Sequence, residues 1–152
     1  MYFTKEKFMD DLQSGKRVEK MILDVIVAYY GDGVKLITTI DDTYCDFVLS
    51  NNLMYKVIYD GKSYKTGNIY IEYSAYGKDS GITTTQAHYY IIVIPKYETE
   101  ILIDCNFTFA LISVERIKDL INMGFYKNHI NIFLNGGYVF DKKVILDNCI
   151  LL

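Results

Sequence analysis

The chain has 152 residues, of which 51% are apolar and 23% charged, and its formal net charge is −3. This length and composition suit one globular domain with its own hydrophobic core, covering residues 1–152. The acidic balance argues against a nonspecific nucleic-acid coat, which is usually basic, but it leaves room for a local basic rim.

Targeting and cysteine signals are weak. No apolar run approaches the ~20 residues of a membrane-spanning helix, and Met1–Asp11 lacks the apolar stretch of a signal peptide. The three cysteines, Cys45, Cys105 and Cys149, lie far apart beside apolar runs and form no CxxC pattern. We therefore expect buried thiols, no membrane association and a cytoplasmic protein.

The first predicted element is a helix over Lys5–Tyr30. Thr4 is a suitable N-cap, and Gly31 a suitable stop. Steps of three and four residues place one set of side chains on a common face, namely Phe8, Leu12, Gly15, Glu19, Ile22, Ile26 and Tyr29. Glu19 is unusual because it is a charged residue on the face that should meet the core.

Strand-like segments follow the Gly31–Gly33 turn. The strands predicted in the first two thirds of the chain are Val34–Ile40, Thr43–Leu49, Leu53–Tyr59, Asn68–Tyr73 and Tyr89–Ile94. Tyr89–Ile94 is apolar throughout, which is typical of a central strand with both faces covered. Asp60–Gly67 is polar and is predicted to be a mobile loop, and Thr83–His88 a short helix.

The last third continues the mixture of strands and helices. We predict a strand over Glu100–Asn106, and a helix over Ser113–Met123 that Ser113 caps and Gly124 stops. From Ile130 onward, short strands are predicted around Asn135–Gly137. There is no repeat and no linker, so the fold class is α+β.

A known signature is similar to the middle of the chain. The run Thr66–Tyr73, the glycine-punctuated Gly77–Ile82 and the polar Thr83–Tyr90 follow one another directly. Together they resemble the central signature of phage and viral members of the PD-(D/E)XK nuclease superfamily. The resemblance covers roughly residues 15 to 95, and the last third of the chain fits only loosely.

The resemblance implies a restriction-endonuclease-like core with an αβα sandwich-like architecture and a mixed central sheet. In such nucleases carboxylates hold Mg²⁺ or Mn²⁺, the metal activates a water, and a lysine assists. Glu19 matches the helical glutamate of that pattern, and Asp46 matches its strand aspartate. Both would be metal ligands in an active enzyme.

The next strand departs from the pattern. Met54–Asp60 aligns with the family's Tyr-Glu-Val-Lys-Thr-Asp, so that Lys56 replaces the acid and Ile58 replaces the lysine. An ammonium beside Glu19 and Asp46 would compete with a divalent cation, and an isoleucine cannot stabilise an oxyanion. These two losses indicate a degenerate site that needs no metal.

Relocated groups could restore the chemistry. Glu72 could supply the missing carboxylate and metal ligand, and Lys78 or Lys65 the missing lysine. The remnant site would then comprise Glu19, Asp46, Lys56, Glu72 and Lys78. Around such a cleft, three lysines could contact nucleic acid: Lys62, Lys65 and Lys78.

Plainer interpretations stay open. Glu19 could pair with Lys16 or Arg17 on a helix surface, and Asp46 could be the solvent-facing member of an alternating strand. We expect His88 to be structural, and His129 to lie in a loop without an identifiable partner.

Two functions are therefore weighed. The first is a catalytically inactive nuclease-like phage or viral accessory protein, acting in the host-cell cytoplasm, that binds DNA or a protein partner. The second is an active Mg²⁺-dependent deoxyribonuclease with a relocated carboxylate and lysine. A third and blander option is an unrelated α+β interaction domain, in which Glu19 and Asp46 would lie far apart.

Overall fold

A computed structural model describes residues 20–31, 33, 36–39, 46–60, 63–96 and 107–152, with residues 36–39 described by their backbone alone. Helix α1 comprises residues 20–30 of this part. The other elements are β1 (Leu36–Thr39), β2 (Phe47–Leu49), β3 (Met54–Tyr59), α2 (Ser63–Thr66), β4 (Asn68–Ala75), β5 (Lys78–Asp79), a 3₁₀ turn (Gly81–Thr83), β6 (Tyr89–Pro95), β7 (Phe107–Ser113), α3 (Val114–Asn122), β8 (Lys127–Ile130), β9 (Gly136–Asp141), α4 (Lys142–Leu146) and β10 (Ile150–Leu151).

The larger sheet is mixed and has the strand order β1-β2-β3-β6-β7-β10. Strands β3 and β6 are parallel, with Lys56 beside Tyr90, and every other neighbouring pair is antiparallel. Strand β6 has six buried residues out of seven because both faces of the sheet are covered. The predicted central strand is thereby confirmed, and so is the α+β class.

Helix α1 covers one face of this sheet. Ile22 and Ile26 pack against buried residues of the sheet such as Leu49, Ile91 and Leu111. The predicted helical stripe is confirmed at these two positions but is wrong at Tyr29, which lies near the end of the helix and is 48% exposed. The rest of the predicted helix, Lys5–Glu19, lies outside the described residues.

The smaller sheet is antiparallel, has the order β5-β4-β9-β8, and helps to cover the other face. Its Ile69, Ile71 and Phe140 pack in one cluster with Tyr90 and Ile92 of β6. Helices α3 and α4 complete this cluster through three residues, Ile117, Leu120 and Ile145. The protein thus has two apolar cores, one on each face of the mixed sheet.

Helix α3 follows the sequence prediction closely. The Ser113 side chain accepts a hydrogen bond from Arg116 N at 3.0 Å, which caps the helix. Gly124 lies just past its end with a positive φ of 79°, as expected for a glycine stop. The predicted strands around Asn135–Gly137 correspond to the β8–β9 hairpin.

Two predicted segments differ from the structure, and one strand was not predicted. Thr83–His88 is not a helix: the 3₁₀ turn ends at Thr83, and Thr85 Oγ1 instead accepts a hydrogen bond from Ala87 N. Asp60–Gly67 contains the short helix α2 because the Asp60 side chain accepts a hydrogen bond from Ser63 N. Strand β7 was missed because its apolar run ends directly at the Ser113 cap signal. The strand predicted over Glu100–Asn106 lies outside the described residues.

Among the described residues, no helix is both long and apolar enough to cross a lipid bilayer.

Candidate functional site

A cleft of about 970 Å³ opens between the two sheets. Strand β3 contributes Lys56 and Ile58 to its lining, and β4 contributes Tyr70 and Glu72. The chain between β5 and β6 forms another wall, and His129 of β8 lies at the far side. The cleft therefore lies between the strand that carries Lys56 and Ile58 and the strand that carries Glu72.

Lys56 and Ile58 share one side of β3 because side chains alternate along a strand. Their neighbours Tyr55 and Val57 pack into the helix-covered core instead. Lys56 and Ile58 consequently face the same cleft.

Asp46 is fixed at the edge of this site by two interactions. Its Oδ1 lies 3.4 Å from Lys56 Nζ, and its Oδ2 accepts a hydrogen bond of 2.6 Å from Val57 N. Both side chains are about one quarter exposed, at 25% and 23%. Since both oxygens are engaged, a metal ion at Asp46 would first have to displace the Lys56 ammonium.

Glu72 lies on the opposite wall and is exposed to the cleft. Its Oε2 accepts a hydrogen bond from Ser80 Oγ at 3.1 Å. Next to Ser80, Gly81 has a φ of +54°, and a Cβ there would stand 2.2 Å from the carbonyl oxygen of Glu72. The glycine therefore lets this wall approach the backbone of β4, where a side chain would not fit.

Aromatic side chains surround Glu72. A Cβ on Gly137 would stand 2.2 Å from the Tyr70 ring, so the ring lies across the glycine of the neighbouring strand. The His129 ring meets Tyr70 edge-on at 6.5 Å. Burial, with the Glu72 charge as a smaller cause, raises the pKa of Tyr70. Burial likewise raises the pKa of Tyr90 to about 12.

Asp60 connects the two sheets at the end of β3. Its Oδ2 accepts a hydrogen bond from Tyr70 N at 2.9 Å, while its Oδ1 accepts one from Ser63 N at 3.1 Å. Its own N–H donates to Val93 O on β6. Asp60 therefore has a structural role, although it also lines the cleft.

The remaining predicted site residues are dispersed. Lys65 is exposed on α2, and Lys78 is exposed on the edge strand β5 and is not part of the cleft lining. Glu19 and Lys62 lie outside the described residues. His88 Nδ1 accepts a hydrogen bond from Met54 N at 2.9 Å, a structural contact between β3 and the start of β6.

Within the described part of the chain, no three His, Cys, Asp or Glu side chains converge in a way that could hold a metal ion. This finding does not bear on the predicted metal ligands Glu19, Asp46 and Glu72 as a set, because Glu19 lies outside the described residues. Of the predicted residues, Lys56 and Glu72 line one cleft, and Asp46 is connected to it through its contact with Lys56.

Sequence reasoning missed Tyr70, Tyr90 and His129 as cleft residues. Tyr70 could have been found, because it lies two residues before Glu72 and alternation puts both on one face. His129 could not, because its place depends on the register of β8 against β9, where it pairs with Gly137.

Comparison with models of known protein families finds no match, and comparison with curated proteins finds no significantly similar sequence.

Proposed function

We propose that this chain is a PD-(D/E)XK-like domain, in phage or viral context, that binds a partner and does not hydrolyse DNA. The observation that carries the proposal is the contact between Lys56 Nζ and Asp46 Oδ1. An ammonium at the acid position supplies the positive charge that a divalent ion would otherwise bring. The α+β class and the mixed sheet with helix α1 on one face support the proposal. The other face departs from the αβα sandwich that the resemblance implies, because the smaller sheet covers it together with α3 and α4.

Ile58 supports the same conclusion independently. It faces the cleft at the position where the nuclease pattern has its lysine. A side chain of carbon and hydrogen can neither orient an attacking water nor stabilise charge on a phosphate. Both lost functions are therefore located in one cleft and on one side of one strand.

The charges of the cleft favour a protein partner over DNA. Among the residues that the structure describes, its lining includes three carboxylates, Asp60, Glu72 and Asp79, and one lysine, Lys56, which Asp46 partly neutralises. A phosphate backbone entering this cleft would meet net negative charge, and binding of DNA depends mainly on cations. We expect weak DNA binding, measured by fluorescence anisotropy with single- and double-stranded probes at several salt concentrations.

The decisive experiment is a cleavage assay on single- and double-stranded DNA with Mg²⁺ and with Mn²⁺. We expect no turnover above that of an Asp46→Ala control. Clear cleavage that disappears in Asp46→Ala would disprove the proposal.

Ancestry is tested by restoring the pattern. The double variant Lys56→Glu/Ile58→Lys should gain metal-dependent cleavage if the site is a decayed one. The matched control is Lys56→Ala/Ile58→Ala, which removes the ion pair without adding catalytic groups. Cleavage by neither variant would leave the nuclease ancestry without support.

The second candidate is an active deoxyribonuclease with relocated groups. It is favoured by one observation, namely that Glu72 and Lys56 line the same cleft. In that case Glu19, Asp46 and Glu72 would hold the metal, the Lys56 ammonium would leave Asp46, and Lys65 or Lys78 would supply the lysine. Metal-dependent cleavage lost in both Glu72→Gln and Asp46→Asn would establish this alternative.

A further inference from the structure

Exposed apolar side chains are concentrated in one short stretch of the chain. Of thirteen large hydrophobic residues that are exposed in the described part, six lie between Met123 and Leu134. All six are more than half exposed, and Ile132 reaches 89%. They are Met123, Phe125, Ile130, Ile132, Phe133 and Leu134. We call this stretch the Met123–Leu134 segment.

The centre of the segment is an edge strand. Strand β8 is the last strand of the smaller sheet, and among the described strands it pairs only with β9. All four of its residues are exposed. An unprotected edge offers main-chain groups to another strand, and natural proteins usually cover or charge such edges.

The apolar tip after β8 has a defined shape. Asn131 Oδ1 accepts hydrogen bonds from Phe133 N at 2.9 Å and from Asn135 N at 3.1 Å. Leu134 O accepts another from Gly77 N at 3.2 Å, which ties the tip to the β4–β5 turn. The tip therefore presents its side chains without the ordering cost that a loose loop would carry.

From these features we propose that β8 pairs antiparallel with β8 of a second copy of this chain, joining two four-stranded sheets into one of eight strands. The segment is self-complementary in that arrangement. A two-fold axis reverses the second strand, so Phe125, which lies two residues before β8, comes close to the Ile132–Leu134 tip of the second copy. Apolar surface that is exposed in one copy is thereby covered from both ends.

The charges of the segment agree with self-pairing. Lys127 is its only formally charged residue, and depletion of charge is typical of interface centres. If the pairing is centred on Asn128, Lys127 lies opposite His129 of the second copy; if it is centred on His129, Lys127 lies opposite Asn131. Like charges would oppose each other only in a register centred on Lys127, which is therefore disfavoured.

The interface between the two copies would also lie next to the cleft, because His129 and Asn131 line the cleft.

The inference does not depend on the proposed function, since it rests on surface residues and strand order alone. A cleavage assay that disproves the proposed function would leave the dimer untouched, and a chain that stays monomeric would leave the proposed function untouched.

Sedimentation velocity from low to high micromolar concentration provides the first test. We expect a monomer–dimer equilibrium, and the double variant Ile132→Asp/Phe133→Asp should weaken it by at least ~tenfold. The matched control is Leu151→Asp, because Leu151 is 59% exposed on β10, an edge strand of the other sheet. Circular dichroism would verify that each variant is folded.

Cysteine cross-linking provides the second test and locates the axis. Asn128→Cys or His129→Cys should form a disulfide-linked dimer above the background set by the chain's own three cysteines. A chain that stays monomeric at all concentrations, a dimer unaffected by the tip variant, or association that occurs only with lipid vesicles would each overturn the proposal.

Discussion

The two faces of the mixed sheet differ most sharply at two adjacent residues of β3. Tyr55 is fully buried under α1 and stacks between Phe47 at 5.1 Å and Tyr89 at 5.6 Å. Lys56 points the other way, into an open cleft with a carboxylate partner. At this point of β3, one face is closed and the other opens to the cleft. The side chains that β3 directs under α1 should therefore contribute mainly to stability, and those that it directs into the cleft mainly to ligand binding.

The largest effect is expected at Tyr55. Tyr55→Ala should lower the free energy of unfolding by about 3–5 kcal/mol, as for other buried aromatic residues, because it leaves a cavity in the stack. Its hydroxyl also donates to Tyr30 Oη at 2.8 Å and accepts from Asn51 Nδ2 at 3.2 Å. Urea denaturation measures the change, with exposed Tyr64→Ala as control. A cost below about 1 kcal/mol would show that this face is less tightly packed than its contacts suggest.

The next effect concerns the cleft wall at Gly81. Gly81→Ala should cost about 2–3 kcal/mol, because its positive φ is unfavourable and its Cβ would overlap the Glu72 carbonyl. Gly67→Ala is the control: its φ of +69° is similar, but nothing lies within 4 Å of the added carbon. Gly67→Ala should lower the free energy of unfolding by only about 1 kcal/mol. Equal costs for the two variants would mean that the wall moves away freely.

A smaller effect is expected from the ion pair. Lys56→Ala should change stability by less than about 1 kcal/mol, since partly exposed pairs contribute little. Asp46→Ala should cost about 1–2 kcal/mol, because it also removes the acceptor for Val57 N. Chemical denaturation of both variants tests the order. If Lys56→Ala proved more harmful than Asp46→Ala, Lys56 would have a role in the fold beyond this pair.

The smallest effect at neutral pH is expected from Tyr90→Phe, and it should change with pH. Burial raises the Tyr90 pKa from 10.0 to about 12, so the unfolded chain ionises first. The contribution of the neutral Tyr90 hydroxyl to folding stability is fully present below pH 10 and is lost as the pH rises toward about 12. Burial also raises the pKa of other tyrosines, so ultraviolet titration should show one late-titrating tyrosine fewer in Tyr90→Phe than in the unmodified chain. An unchanged titration curve would contradict the assigned burial.

The sequence predicted those parts of the fold that local signals determine. Strand β6 is apolar throughout, and α3 begins at a serine cap, so each could be found from neighbouring residues alone. The contact of Asp46 with Lys56 was foreseeable as well, because it joins consecutive strands that are antiparallel neighbours. The one-turn helix α4 was missed, since five residues are too few to show helical periodicity.

The smaller sheet was beyond reach for a different reason. Its pairing of β4 with β9 joins residues such as Glu72 and Gly137, which are far apart in the chain. No local pattern specifies such a register, so the cleft and its aromatic residues could not be assembled in advance. The pairing of β8 with β9 in turn brings His129 beside Tyr70.

The carboxylate of Asp60 determines how wide the cleft can be. It holds β4 through Tyr70 N, and its backbone holds β6 through Val93 O. Asp60 therefore links β4 to β6 at one end of the cleft, and we expect any opening of the cleft to occur at the other end. The fixed end would limit the size of a ligand that can bind. This limit would come from Asp60 even if Asp60 made no contact with the ligand.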